Sequence, residues 1–380
     1  MSARAVYVVW VLVVLPAVIM VSQAAHGVTS LQHGVTSLQH GVTSLQHGVA
    51  SLQHDAQDYH RDGKFLNLQL FPFVSVKVQA TECTSQSDNF TGTCTSRPQC
   101  TSQKGRADGT CGSGYGVCCV YNAQCGSTVS RNSTYLVNDG YPTTFNAINN
   151  CQYTIEKVSA DVCQLRLDFE VLRLVGPDNT TQCSDDTLAV TGASGANPSV
   201  ICGDNSGQHM YLGLASGTRA ARVNIATTTT GYDRSWRIKV IQIPCSSPSR
   251  APPNCLQYYT EYSGTVKSFN FQTAGGGKQL ANQLYTACIR TREGFCGIRY
   301  TSNAFNVSAA GVTPCVTDFV LIPTVAKNGT AASTDRQCGT TFTDVITYST
   351  PFEVRVVTDD KESAGVNSTG FSISYTQIPC

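Results

Sequence analysis

The tetrapeptide QIPC occurs twice, at residues 242–245 and at residues 377–380. Reading back from each ending, six cysteines recur in order: Cys125, Cys151, Cys163, Cys183, Cys202 and Cys245, then Cys255, Cys288, Cys296, Cys315, Cys338 and Cys380. The chain is therefore an internal duplication. Its copies span residues 125–245 and 255–380, joined by the Pro/Ser-rich linker SSPSRAPPN at residues 246–254. Within the copies, apolar residues alternate with polar ones at Leu165, Leu167, Phe169 and Val171, at Phe352, Val354 and Val356, and at Phe371, Ile373 and Tyr375. A period of two is that of half-buried strands. Many short strands with turn residues between them predict an all-β chain in which each copy is an antiparallel β-sandwich.

Upstream lies a denser set, Cys83, Cys94, Cys100, Cys111, Cys118 and Cys119, within residues 83–119. Six cysteines allow 15 pairings, and spacing alone does not choose among them. A zinc cluster is disfavoured, because the thiols of a secreted chain oxidise. Secretion is the expectation from the N-terminus. Arg4 precedes an apolar run from Val6 to Val21, and Ser22-Gln23-Ala24 ends in small residues, so residues 1–25 read as a signal peptide. The run of ~16 apolar residues is short against the ~20 that span a bilayer, and no second such run follows, so the mature chain is expected to lack a membrane span. Six Asn-X-Ser/Thr triplets, at Asn89, Asn132, Asn179, Asn306, Asn328 and Asn367, are candidate glycosylation sites of such a chain.

Charge excludes some partners. With 26 Lys+Arg against 25 Asp+Glu there is no basic field for nucleic acid, and the 13% share of charged residues suits sheets with uncharged polar faces. Residues 26–54 repeat HGVTSLQ, once as HGVASLQ, with Val and Leu at coiled-coil spacing. One glycine per heptad costs a helix about 1 kcal/mol each, so the repeat is read as disordered, and residues 55–82 as a linker. Five of the seven histidines lie in the repeat. Helical spacing would hold neighbouring rings about 10.5 Å apart, too far to share one ion.

The stretch ICGDNSGQHMYL, residues 201–212, resembles the nucleophile loop of chymotrypsin-like proteases. That chemistry needs an imidazole from elsewhere in the fold, oriented by a carboxylate. Outside the repeat and linker only His209 remains, three residues from Ser206. Ser206 is therefore read as a turn residue, and the chain as no enzyme. Asp168 and Glu170 fall on the outer face of a strand, and Gly275 to Gly277 read as a hairpin turn rather than a phosphate cradle.

Two resemblances add to this reading. GTCTSRPQC…GYGVCC resembles an arthropod clip domain, although the Cys100–Cys111 interval is short for that family. The resemblance implies Cys83–Cys118, Cys94–Cys111 and Cys100–Cys119. CGSTVSRNSTYLVNDGYPTTFNAINNCQYTI, from Cys125, and CSDDTLAV, from Cys183, resemble a CUB domain. CVTDFVLI and GFSISYTQI match it more faintly in the second copy. The CUB family implies a compact sandwich with Cys125–Cys151, Cys183–Cys202 and Cys315–Cys338. Repeat logic adds Cys255–Cys288, and Cys163–Cys245 and Cys296–Cys380 then use the remaining cysteines.

CUB domains often hold calcium through a glutamate and two aspartates. In the first copy Asp186 matches the central aspartate, but Asp185, Val175 and Thr227-Thr228 depart from the pattern, and the site looks lost. The second copy keeps Asp318 and Asp359 as candidate calcium ligands, with Ser308 where the glutamate is expected. The expected function is a secreted, non-catalytic adaptor that binds an extracellular or cell-surface protein, within a protease, immune or developmental pathway. The alternative is a structural matrix or cuticle glycoprotein, favoured by the low-complexity repeat, the glycans and exposed tyrosines such as Tyr258, Tyr259 and Tyr262.

Overall fold

A computed structural model describes residues 77–195, 197–307, 315–360, 362 and 367–380. The signal peptide, the repeat, residues 55–76 of the linker and Ser308 lie outside the described residues. The fold is all-β, with two disulfide-stabilised sandwiches preceded by a small cystine-rich module.

The module comprises β1 (Glu82–Thr84), β2 (Thr91–Thr95), α1 (Arg97–Ser102), β3 (Arg106–Cys111) and β4 (Gly116–Ala123). Helix α1 begins where Ser96 caps it, its hydroxyl accepting from the Gln99 amide, with a proline in the first turn. Three bridges, Cys83–Cys118, Cys94–Cys111 and Cys100–Cys119, close the module. Strand β4 runs on past its last cysteine, and Tyr121 to Ala123 pair in parallel with Thr134 to Leu136 of the first sandwich. Module and sandwich thus share one eight-stranded sheet. Side chains reinforce the seam. Phe90 packs on Tyr135 at 5.0 Å, the Arg237 guanidinium lies 4.4 Å from the Phe90 ring, and the Thr91 amide donates to the Tyr135 hydroxyl.

The first sandwich contains β5 (Thr128–Val129), β6 (Thr134–Val137), β7 (Asn149–Glu156), β8 (Val162–Arg173), β9 (Asp186–Thr191), β10 (His209–Gly213), β11 (Ala220–Thr227) and β12 (Ser235–Pro244). One layer runs β6-β12-β8-β10, the other β5-β7-β11-β9. Alternation delivers Leu165, Leu167 and Phe169 to the core, but a bulge opposite Arg237 and Ile238 then shifts the phase. Val171 turns partly outward and Leu172 is buried in its place. Bridges Cys125–Cys151, Cys163–Cys245 and Cys183–Cys202 lie within this sandwich.

The second sandwich contains β13 (Cys255–Tyr259), β14 (Ser263–Lys267), β15 (Leu284–Ile289), β16 (Phe295–Asn306), β17 (Phe319–Leu321), β18 (Arg336–Gln337), β19 (Val345–Thr347), β20 (Phe352–Val357) and β21 (Gly370–Pro379). Its layers are β13-β15-β20-β17-β18 and β14-β21-β16-β19. Bridges Cys255–Cys288, Cys296–Cys380 and Cys315–Cys338 lie within it. Both sandwiches are antiparallel except at their first strands: β5 joins β7, and β13 joins β15, in parallel. Gly275 and Gly276 have φ of 85° and 89°, a conformation that costs glycine little, but the flanking strands β14 and β15 lie in different layers, so the turn closes no hairpin.

The two sandwiches meet where β10 and β13, each the outermost strand of its layer, lie together. Tyr211 and Ile243 of the first form an apolar seam with Ala251 of the linker and Tyr258 of the second. The Gln164 side chain holds the linker by a pair of bonds to the Ala251 amide and carbonyl. Here the exposed-tyrosine expectation is corrected. Tyr258 is buried in this seam and Tyr259 half-buried against His209, and only Tyr262 is exposed, at 51%. The cause is that β13 lies against β10, so its aromatic residues serve packing between domains.

Candidate cation and partner-recognition site

The loop that resembled a protease nucleophile is occupied by structural bonds. The Ser206 hydroxyl accepts from the Leu172 amide at 3.1 Å, and the Ser206 amide donates to Asp204 at 3.0 Å. His209 Nε2 accepts from the Tyr258 amide of the other sandwich at 3.0 Å, which places its ring proton on Nδ1. Its ring packs edge-on against Tyr211 and Tyr259. Burial, helped by the Arg166 guanidinium, pulls its pKa down to about 4. Asp168 is paired with Arg166 and Glu170 with Arg237, so these carboxylates are used singly, in surface ion pairs.

In the first sandwich, Asp186 begins β9 and is fully buried. Its charge is met by Arg234, also fully buried, just before β12. The guanidinium clasps the carboxylate at both oxygens, Nε to Oδ2 at 2.5 Å and Nη2 to Oδ1 at 2.8 Å. The Val175 amide adds a third bond to Oδ2 at 2.7 Å. Thr229 Oγ1 and the Tyr232 carbonyl take the outer guanidinium protons. Thr227 instead donates its hydroxyl to the Ala147 carbonyl at 2.8 Å, away from the aspartate. A fixed internal cation therefore sits on the central aspartate of this copy. Arg234 is 48 residues from Asp186, and no local spacing links them in the sequence.

The second sandwich is built differently. Counted back from the shared QIPC ending, Thr369 takes the place of Arg234, and no guanidinium bond to Asp318 is present among the described residues. Asp318 is buried, with Oδ1 accepting from the Asp359 amide at 2.7 Å and Oδ2 from the Gln279 amide group at 3.0 Å. The same Gln279 nitrogen donates to Glu362 at 3.1 Å, and the Ser368 hydroxyl also donates to Glu362. Burial first, and then the Glu362 carboxyl, push Asp318 up to about 6. Gln279 Oε1 is buried without a partner beside this pair. Asp318, Glu362 and Gln279 Oε1 are hard oxygen donors of the kind calcium takes, but they fall short of its usual six to eight. Among the described residues no three His, Cys, Asp or Glu side chains form a metal cluster. Sequence reasoning reached Asp318 and Asp359 but missed Gln279 and Glu362, which fold topology alone brings to the aspartate.

Loops of the first sandwich approach this end of the second. The Thr181 carbonyl accepts from the Ala281 amide at 2.9 Å and the Thr180 carbonyl from the Glu362 amide at 3.1 Å. The Gln182 side chain donates to the Asp360 carbonyl, and Lys278 Nζ donates to Asn179 Oδ1 at 3.0 Å. Further along the seam, Asn205 and Asn270 exchange bonds with each other's loops.

With this geometry in hand, two family models match: the CUB domain over residues 125–240 and the animal CUB domain over residues 252–378. The chain is a CUB-domain protein with two CUB domains in tandem. No curated protein matches it in sequence. Among solved structures it is similar to the CUB1-EGF-CUB2 domains of rat MASP-1, at 13% identity over 67% of this chain and 100% of that one, with a TM-score of 0.25. It is also similar to the MASP-1 CUB2 domain bound to Ca2+, at 18% identity over 31% of this chain and 98% of that one, TM-score 0.25. The full extracellular region of zebrafish Gpr126/Adgrg6 aligns at 8% identity over 67% and 36% of the two chains, TM-score 0.27. CUB domains are non-catalytic modules that mediate protein–protein contacts, and tandem CUB domains with many disulfides suit an extracellular setting. No described helix is long and apolar enough to cross a membrane.

Proposed function

We propose that this protein is a secreted, non-catalytic adaptor that holds two CUB domains in one fixed arrangement and presents them to an extracellular or cell-surface protein. The observation that carries this reading is the seam itself. His209, Asn205, Thr180 and Thr181 of the first domain are hydrogen-bonded to the second, so the two domains are held against each other. The signal peptide at residues 1–25 supplies the export route. What supports a place in a protease, immune or developmental pathway is the resemblance of residues 83–119 to arthropod clip domains, whose pairing of first to fifth, second to fourth and third to sixth cysteine this module shares. The matrix alternative keeps the repeat, the candidate glycans and the exposed Tyr262, and loses Tyr258 and Tyr259 from its support.

Affinity capture with the full mature chain, once with calcium and once with chelator, tests the adaptor reading. A stoichiometric protein partner is expected in at least one condition. Its absence from both would overturn the reading.

We also propose that Asp318 and Asp359, with Glu362 beside them, would hold a calcium ion in the second domain, where the ion would neutralise buried carboxylate charge. The supporting observation is that the buried Asp318 and Glu362 carboxylates share one Gln279 amide nitrogen, with the Asp359 amide on Asp318. Calcium is expected to raise the melting temperature of the parent and leave Asp318→Asn unchanged. An equal response in both would remove the assignment.

A further inference from the structure

Thr181 is placed where folding gives no reason for a threonine. Its φ is +69°, a region that a β-branched side chain adopts only under strain. It is 2% exposed, and its buried hydroxyl has no hydrogen-bond partner among the described residues. Glycine or asparagine would meet the backbone requirement better, and any apolar residue would avoid the stranded hydroxyl. The loop around it is well ordered by other means. Asp178 Oδ1 accepts from the Thr180 amide and hydroxyl and from the Gln182 amide. The Thr181 carbonyl, which binds the second domain through the Ala281 amide, would be present with any residue.

The hydroxyl does have one use, and it precedes folding. Thr181 is the third residue of Asn179-Thr180-Thr181, and the acceptor motif for N-glycosylation requires a hydroxyl at that place. Asn179 is exposed, and among the described residues only its Oδ1 is engaged, by Lys278 at 3.0 Å, so Nδ2 is left to carry a substituent. The six acceptor triplets are not alike in this respect. Asn306 is half-buried and spends Nδ2 on the Asn367 carbonyl at 2.8 Å.

We propose that Asn179 carries an N-linked glycan, attached before the domain closes, which stands at the seam between the two CUB domains. In the transfer, the Asn179 Nδ2 bonds to the anomeric carbon of a polyprenyl-pyrophosphate oligosaccharide. The carbon–oxygen bond to pyrophosphate breaks, the lipid pyrophosphate leaves, and the Nδ2 proton passes to a base of the transferase. Folding then buries the Thr181 hydroxyl, and the glycan shields the contact made by Thr180, Thr181 and Gln182. The inference rests on the secretory reading above.

The test is to secrete the full chain from eukaryotic cells and treat it with peptide N-glycosidase in 18O water, mapping each asparagine by mass. Asn179 is expected to be modified in most molecules, Thr181→Ser to keep the glycan, and Thr181→Gly to lose it. Thr181→Gly is also expected to melt no lower than Asn179→Gln, since both lack the sugar and only the former is freed of strain. An unmodified Asn179 beside modified Asn132 and Asn328 would overturn the proposal and leave secretion intact. No glycan at any site would remove both. If Thr181→Gly melted clearly lower than Asn179→Gln, Thr181 would be a packing residue and the argument from strain would fall.

Discussion

Arg234 and Asp186 form the most consequential pair at the scale of single residues. Both are fully buried, so removing one leaves the other charge without water or an opposite charge. Such a loss typically costs 3–5 kcal/mol, whereas replacing both by apolar groups of similar volume is often close to neutral. Arg234→Met alone is therefore expected to lose about 3–5 kcal/mol in urea unfolding, and Arg234→Met with Asp186→Leu to lose much less. Equal losses would mean that the pair is not isolated from solvent.

His209 makes a second prediction at this scale. Its folded pKa, about 4, lies below the unfolded value of about 6.5. Above pH 6.5 the ring is neutral in both states and its contribution is fully present. Between pH 6.5 and 4 the unfolded chain binds the proton first, so stability falls with pH, by about 3 kcal/mol at the lower end. The charged and titratable groups facing the ring are Arg166, Asp168, Tyr211, Tyr258 and Tyr259. His209→Gln, whose amide oxygen can still accept from Tyr258, is expected to remove this part of the acid sensitivity in denaturation series at several pH values. An unchanged profile would place the titration elsewhere.

At the scale of elements, the cystine-rich module depends on close approaches that a methyl group would block. A Cβ on Gly105 would lie 2.2 Å from Cys119 Sγ and 3.0 Å from Cys100 Sγ. Gly105→Ala is thus expected to yield secreted protein with a substantial fraction of free thiol at Cys100 and Cys119, read by alkylation and mass analysis. Full oxidation in the variant would show that the turn can move aside. Alternation in the sequence located the strands well, including Phe352, Val354 and Val356, all buried. It failed at the β8 bulge, because one extra residue there reverses the faces and nothing in the local pattern marks it. It also gave no sign that β4 would extend the sheet of the next domain, since edge pairing depends on which strand end lies open after folding.

At the scale of the whole molecule, the seam couples the domains. Asn270 takes a central place: its amide donates to Asn205 Oδ1, its Oδ1 accepts from the Asp204 amide and its Nδ2 donates to the Lys278 carbonyl. The parent is expected to unfold in one calorimetric transition. Asn270→Ala should lower the melting temperature and separate the transition into two, because removing the side chain leaves the Asp204 amide and the Lys278 carbonyl without their partner. A single unshifted transition in the variant would mean that the apolar seam of Tyr211, Ile243 and Tyr258 couples the domains unaided.

By itself, the sequence determined the all-β class, the duplication and the two β-sandwiches, since cysteine order and a two-residue period are local patterns carried along the chain. It also marked Asp186 and Asp318 as equivalent positions. Only the tertiary structure decided what faces those aspartates, a guanidinium in one domain and an amide with a second carboxyl in the other. The same holds for the tyrosines buried between the domains. These outcomes depend on residues tens of positions apart being brought into one desolvated space, where an unpaired charge or a stranded polar group is costly and its neighbours fix its role.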